Sequence, residues 1–255
     1  ESGFVILSLW AIGGLIAVCG AMTYAELGAA FPRSGGEYNF LSEIYHPAVG
    51  FVAGWTSVTI GFAGPSALAA MTFAAYTMSI FEVAPSAWAE RALAVALVAV
   101  LTVVHAGRRR NSGGVQVVFT TLKVAVIIGF CLLAVLLIDT PQSVRFLPSA
   151  GDRELFTSSA FAISLIYVSY AYTGWNAATY LSSELENPQR SLPGILLTGT
   201  LVVALLYVAL NFVFLYAAPV AELRGQVEVG LIAAKAAFGE AGGRVAGLVL
   251  AMLLI

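Results

Sequence analysis

Long apolar runs, separated by short polar segments, account for most of the chain. A helix that crosses a membrane needs about 20 consecutive, mainly apolar residues. Six runs meet that requirement, and a seventh is too short to cross. They occupy residues 4–31, 47–81, 86–106, 115–138, 158–186, 192–218 and the short 243–255. The pattern predicts an all-α membrane protein that crosses the bilayer several times, with residues 1–255 forming a single membrane domain.

Two of these regions carry finer signals. Residues 47–81 exceed the length of one straight crossing, so we expect either a tilted helix or a bend at Gly64-Pro65. Residues 229–243 repeat apolar positions as a short amphipathic helix at the membrane surface does. An ordinary loop fits the same letters, and the sequence leaves both interpretations open.

Composition supports the membrane assignment and removes several classes of function. The 255 residues are 60% hydrophobic and 10% charged, with a mean hydropathy of +0.91, whereas soluble domains are about 25% charged. A net charge of −2 gives no basis for nucleic-acid binding. Cys19 and Cys131 lie in apolar runs, and the sequence contains no metal, nucleotide or hydrolase motif, so we expect no cofactor and no enzyme activity. Both ends look like cuts through a larger protein.

Arginines indicate which loops face the cytoplasm. Loops 32–46, 107–114 and 187–191 share one side of the membrane because successive spans alternate in direction. They hold five arginines, three of them consecutive at residues 108–110. Positive residues in short loops mark the cytoplasmic side. We therefore expect an integral protein of the cell membrane with these three loops in the cytoplasm.

The apolar run 158–186 contains a stretch that favours an interrupted helix. Residues 170–174 read Tyr-Ala-Tyr-Thr-Gly and lie near the middle of the span. Gly174 costs about 1 kcal/mol within a helix and readily takes non-helical dihedral angles. Unwound backbone at that depth is tolerated only where protein buries it or where it lines a cavity, and its free carbonyl and N–H groups can bind substrates and ions. A continuous helix with one tolerated glycine is the alternative.

Lys123 is a cation inside a predicted span. It lies about 12 Å along the helix axis from the start of residues 115–138, and burying a lysine there costs about 2.5–3.5 kcal/mol on insertion scales. Gln116 and Thr120 share its helical stripe, which favours a function inside the helix bundle. The alternative is a lysine whose stem reaches back to the interface. Glu26 fits a cap or loop anchor better than a proton site.

Two long motifs resemble a known family. The segment LSLWAIGGLIAVCGAMTYAELGAAFPRSGGEYNFL at residues 7–41 resembles the second helix and following loop of permeases in the amino acid–polyamine–organocation superfamily. The segment YAYTGWNAATYLSSELENPQRSLP at residues 170–193 resembles their sixth helix, especially in the L-type amino acid transporter family and its bacterial relatives. The resemblance implies a fragment, about helices 2 to 8, of a LeuT-type fold built from two inverted five-helix repeats, without its first helix and its last helices.

The resemblance also implies roles for individual residues. Tyr170 is similar to the aromatic gate that closes over the substrate, and residues 171–174 to the unwound segment whose carbonyls receive the substrate ammonium group. Asn176 matches a pocket position that is acidic in some relatives. Lys123 resembles the fifth-helix lysine that stands where sodium-coupled relatives bind an ion. The implied substrate-binding residues are Tyr170, Ala171, Tyr172, Thr173, Gly174 and Asn176.

The function implied is secondary active transport of neutral amino acids across the cytoplasmic membrane by alternating access, through sodium-independent exchange or proton symport. Neither residues 170–176 nor residues 116–123 contain a carboxylate, so a cationic side chain would be desolvated there without a partner. A non-transporting membrane subunit or amino acid sensor is the alternative, although such a protein needs no unwound backbone. The expected partners are an amino acid substrate and the lipid bilayer; the sequence identifies no accessory subunit.

Overall fold

The apolar runs of the sequence form long helices. In a computed structural model, which describes residues 2–81, 86–106 and 109–252, helices dominate and the described residues contain no strand, only one backbone bridge between Ser2 and Arg145. The helices are α1 Gly3–Ala30, α2 Glu37–Ile44, α3 Pro47–Thr56, α4 Ala63–Ile80, α5 Ala87–His105, α6 Arg109–Leu137, α7 Asp152–Phe156, α8 Ser159–Ala171, α9 Pro188–Ala217, α10 Val220–Leu223 and α11 Val229–Met252. A π-helix covers Ser57–Phe62 and a 3-10 helix covers Trp175–Glu184.

Five helical stretches of the described residues are long and apolar enough to cross a membrane. They are Gly3–Ala30, Pro47–Ile80, Ala87–Val104, Gln116–Leu137 and Pro188–Ala217. The predicted span 158–186 is not among them because it is divided between α8 and the 3-10 helix. The predicted fold class, an all-α membrane protein with several spans, is confirmed.

The long stretch Pro47–Ile80 is irregular at a different place from the one expected. Gly64-Pro65 lies within the first turn of α4, which continues directly from a π-helix, so Pro65 removes one N–H from a continuous helical stretch. The irregularity is the π-helix Ser57–Phe62, which immediately precedes that turn. A wider helical turn before a proline accommodates the missing N–H. The helix is therefore irregular on the N-terminal side of Gly64-Pro65 and not at these two residues.

The chain divides into two compact units, which we describe separately. The first unit comprises Glu1–Gly61 and Arg145–Asn211. Its centre is α1, which packs against α8 and the 3-10 helix. Small residues on α1 are buried at four-residue spacing: Gly13, Ala17, Ala21 and Ala25. Their lack of bulk brings the neighbouring backbone close, which is how helices associate in membranes.

An ion pair secures the start of α1 in the first unit. The Phe4 N–H donates to the Arg145 carbonyl at 3.1 Å. The Arg145 guanidinium donates to both carboxylate oxygens of Asp152, at 2.7 and 3.3 Å, and the Ser149 N–H donates to the same carboxylate at 2.7 Å. The hydrogen bonds from Arg145 lower the pKa of Asp152 below its ordinary value, against the opposing effect of desolvation. This connector is therefore held by an ionised carboxylate.

The second unit comprises Phe62–Val144 and Phe212–Ile255. In it, α4 packs against α5 and α11, and the hydroxyl of Tyr76 accepts a hydrogen bond from the Gly230 N–H at 3.1 Å. Residues 229–243 belong to α11, which is interrupted at Gly239, where φ is 71°. Residues 253–255, the end of the predicted last span, lie outside the described residues.

Candidate functional site

The helix predicted across residues 158–186 is interrupted at the glycine. The α8 segment ends at Ala171, Gly174 has a φ of 105°, and the 3-10 helix begins at Trp175. No atom lies within 4 Å of the position that a Cβ on Gly174 would occupy. The glycine is therefore required by its backbone conformation and not by lack of space. The Thr173 N–H and hydroxyl both donate to the Tyr170 carbonyl, at 3.0 and 2.7 Å, and close the end of α8.

Two tyrosines hold the interruption against neighbouring helices. The Tyr172 hydroxyl donates to the Trp10 carbonyl on α1 at 3.0 Å, and the Tyr207 hydroxyl on α9 donates to the Ala171 carbonyl at 3.1 Å. The three aromatic rings pack with centroid distances of 5.0 to 6.0 Å. Tyr172 is 4% exposed, so its side chain is committed to this cluster, whereas the Tyr170 ring is 49% exposed. Their side chains thus have different surroundings although the residues are two apart.

The second half of the interrupted helix is a 3-10 helix, Trp175–Glu184. The Thr179 hydroxyl donates to the Asn176 carbonyl at 2.7 Å, and the Ser182 hydroxyl donates to the Thr179 carbonyl at 2.9 Å. Both hydroxyls are buried and both bind the carbonyl three residues earlier. Bonds of that spacing match the tighter helix, and they give a buried serine and threonine acceptors that an apolar environment does not supply.

The loop at residues 34–37, which we call the SGGE loop, binds along this 3-10 helix. The Gly36 N–H donates to the Thr179 carbonyl at 3.3 Å, and the Ser183 N–H donates to the Ser34 hydroxyl oxygen at 3.0 Å. Gly36 has a φ of 50°, and a Cβ there would lie 2.8 Å from the Tyr180 ring. Glycine therefore permits both the backbone turn and the close approach.

Glu37, the last residue of the SGGE loop and the first of α2, contacts the predicted site directly. Its carboxylate accepts a hydrogen bond from the Asn176 side-chain amide and another from the Tyr180 hydroxyl. The Tyr24 hydroxyl of α1 also interacts with this carboxylate. Asn176 is therefore already paired, and its partner is an acid.

Sequence reasoning missed Glu37 and weighed Glu26 instead, which is exposed on α1. Glu37 and Asn176 are 139 residues apart in the chain, and no periodicity connects a loop to a helix at that separation. The available signal was the pair Gly35-Gly36 directly before the acid, because consecutive glycines mark a tight turn that aims the next side chain.

Lys123 belongs to the second unit and lies on α6, where it is half-buried. Gln116 and Thr120, its neighbours on the same stripe, are exposed.

Residues 107–108 of the arginine-rich loop lie outside the described residues. The roles predicted for Lys123 and for the residues around the break stay predictions.

Comparison with known proteins gives consistent matches over nearly the whole chain. A family model described as Amino acid permease matches residues 2–255. The chain is 32% identical over 238 residues to Asc-type amino acid transporter 1 of Mus musculus, covering 88% of this chain and 43% of that protein. It is 30% identical over 225 residues to b(0,+)-type amino acid transporter 1 of Mus musculus, covering 88% of this chain and 46% of that protein.

A third relative, Large neutral amino acids transporter small subunit 2 of Homo sapiens, is 27% identical over 221 residues, with 85% of this chain and 41% of that protein covered. The chain thus spans less than half the length of each of these relatives.

Proposed function

Because the chain belongs to the amino acid permease family, we propose that the intact protein is a secondary active transporter that carries neutral amino acids across the membrane by alternating access. The family resemblance predicted from residues 7–41 and 170–193 is confirmed. The relatives named above are transporters and not enzymes, so the proposal contains no catalytic step. Its partners are the amino acid substrate and the lipid bilayer.

The observation that carries the proposal is the interrupted helix. Its backbone leaves helical geometry at Gly174, and inside a membrane unwound backbone is tolerated when it lines a cavity. In discontinuous transporter helices such segments bind the polar groups of the substrate. In our proposal the carbonyls of residues 171–174 receive the substrate ammonium group. The Ala171 oxygen has two lone pairs, so it can bind the ammonium while accepting from Tyr207.

The other predicted site residues have separate roles in the proposal. Tyr170 serves as the aromatic cover over the bound substrate, since its ring is half-exposed next to the break. Asn176, two residues beyond Gly174, contributes a neutral amide to the pocket. Lys123 serves coupling in place of a sodium ion, so that transport proceeds by sodium-independent exchange or by proton symport.

A neutral substrate follows from the charges near the break. Glu37 is the carboxylate nearest to Asn176 in the described part of the first unit, and its oxygens already accept from Asn176 and Tyr180. A cationic substrate side chain near Asn176 would therefore contact a neutral amide and not an unpaired carboxylate. Burying a cation without a charged partner costs several kcal/mol, which favours neutral side chains.

The test is uptake of labelled alanine by the full-length protein reconstituted in liposomes. We expect saturable uptake that unlabelled alanine, serine or leucine inhibits, with weaker inhibition by lysine. Stabilisation of the folded protein by alanine without any uptake would overturn the proposal in favour of a sensor or a non-transporting subunit. Inhibition by lysine alone would overturn the neutral substrate class.

A further inference from the structure

Glu37 is placed to control the side chain of Asn176. An ionised carboxylate only accepts hydrogen bonds, and a side-chain amide has one donating end and one accepting end. Since the Asn176 nitrogen donates to Glu37, its oxygen is the end that Glu37 does not bind. The carboxylate thus selects one of the two orientations of the amide.

The hydrogen bonds around Glu37 hold its carboxylate in position beside Asn176. The Tyr180 hydroxyl occupies the second carboxylate oxygen. The Gly36 N–H and the Ser34 hydroxyl attach the SGGE loop to Thr179 and Ser183, on either side of Tyr180. Several hydrogen bonds along one short helix hold an acid more rigidly than a single pair on a surface does.

We propose that Glu37 and Asn176 act as one pair, and that the member carrying the negative charge sets whether the transporter accepts neutral or cationic side chains. The proposal rests on the transport function proposed above and deepens it. In this protein the carboxylate belongs to the SGGE loop, at Glu37, and the residue proposed to contact the substrate, Asn176, carries a neutral amide. Moving the charge to position 176 would place a carboxylate where a cationic side chain can pair with it. Glu37 is then a positioning residue that acts on the substrate through Asn176.

The experiment exchanges the two chemical groups in the full-length protein. The variants are Glu37→Gln, Asn176→Asp and the double variant Glu37→Gln/Asn176→Asp. Glu43→Gln is the matched control, because Glu43 lies on the same helix α2, is half-exposed and pairs with Arg33 at 3.5 Å. For each protein we would measure the melting temperature, the uptake of labelled alanine and arginine, and the thermal shift that each amino acid produces.

Asn176→Asp places two carboxylates in contact, so we expect a lower melting temperature and little alanine uptake. The double variant restores an amide–carboxylate hydrogen bond in the reverse direction, so its melting temperature should recover towards that of the wild type. Its ratio of arginine to alanine uptake should rise about tenfold or more, the usual effect of adding one charge-assisted hydrogen bond. Glu37→Gln should raise the KM for alanine about tenfold with little change in maximal rate, and Glu43→Gln should resemble the wild type.

Each other outcome counts against the proposal. If the double variant melts no higher than Asn176→Asp, the two residues do not form a pair. If its melting temperature recovers while the arginine to alanine ratio stays that of the wild type, the pair is only structural. Equal behaviour of Glu37→Gln and Glu43→Gln would also overturn it. Absence of uptake in every protein, the wild type included, would refute transport, and the thermal shifts with arginine and alanine would still decide the selectivity.

Discussion

Hydroxyl groups around the interrupted helix determine which backbone carbonyls have partners. Tyr207 binds the Ala171 carbonyl, and Thr173 binds the Tyr170 carbonyl through both its N–H and its hydroxyl. Tyr172 reaches away from the break to α1. An unpaired carbonyl in an apolar environment costs several kcal/mol. By binding the Ala171 and Tyr170 carbonyls, Tyr207 and Thr173 reduce this cost where the helix is interrupted.

The gate assigned to Tyr170 is tested by separating its ring from its hydroxyl. Tyr170→Ala should raise the apparent KM for alanine because the substrate loses its cover, whereas Tyr170→Phe should have little effect. Initial uptake rates give both values. Tyr167→Ala is the control, since Tyr167 is on the same helix and 73% exposed. Equal damage from the Ala and Phe variants would identify the hydroxyl, and not the ring, as the functional group.

The coupling role proposed for Lys123 predicts sodium independence. A fixed cation at ~4 Å from a sodium ion would repel it by about 4 kcal/mol at an effective dielectric constant of 20. Replacing sodium by choline should therefore leave uptake unchanged, and Lys123→Ala should reduce uptake with the melting temperature preserved. Lys235→Ala, which removes a lysine paired with Glu240 at 3.0 Å, is the control. A strict requirement for sodium, or wild-type uptake by Lys123→Ala, would refute the assignment.

The ion pair of Asp152 predicts a dependence of stability on pH. Arg145 lowers the pKa of Asp152 in the folded protein, so the pair stabilises above the unfolded value of about 3.9 and loses its effect as the pH falls through the folded value. The difference in melting temperature between wild type and Asp152→Asn should be constant from pH 7 to about 5 and shrink below about pH 4. Asp139→Asn, at an exposed position on the same connector, should show no such difference at any pH.

At the scale of elements, the structure differs from expectation where neighbouring parts of the fold decide the geometry. The sequence around Gly174 carries local signals, since the glycine and nearby hydroxyls are visible in the letters. The 3-10 form of Trp175–Glu184 is not visible in this way, because it depends on buried hydroxyls and on the SGGE loop that binds beside them. Glu37 was not predicted for the same reason, since its hydrogen bonds to Asn176 and Tyr180 form only once that loop is folded.

The interruption at Gly174 can be tested by adding a single methyl group. Gly174→Ala introduces no clash, so its effect isolates the positive φ, which costs about 1–3 kcal/mol for a residue with a Cβ. We expect a lower melting temperature and reduced uptake. Gly199→Ala is the matched control, because Gly199 also has open space around it but lies within α9 at an ordinary helical φ. That change should alter stability by less than about 1 kcal/mol, in the stabilising direction. Identical results for the two variants would show that the break is not required.

At the scale of the whole molecule, composition alone was sufficient to predict an integral membrane protein. A chain that is 60% hydrophobic and 10% charged cannot cover its surface with polar groups, and long uninterrupted apolar runs leave helices as the way to satisfy the backbone inside a bilayer. Two motifs then identified the family, which the match over residues 2–255 confirms. The expected direction of insertion is argued from five arginines in three short loops.

The orientation proposed for the loops can be tested across α9. This helix has 30 residues, about 45 Å at 1.5 Å per residue, and exceeds the ~30 Å hydrocarbon core, so Gln189 near its start and Glu222 beyond its end lie on opposite sides. With Cys19, Cys131 and any cysteine outside residues 1–255 replaced by alanine in the full-length protein, we would introduce Gln189→Cys or Glu222→Cys separately. A membrane-impermeant maleimide added to intact cells should label position 222 and not position 189, because loop 187–191 is expected in the cytoplasm, and permeabilised cells should label both. Labelling of position 189 alone in intact cells would establish the inverted orientation, and the segment 107–114 with its three arginines would then face outwards.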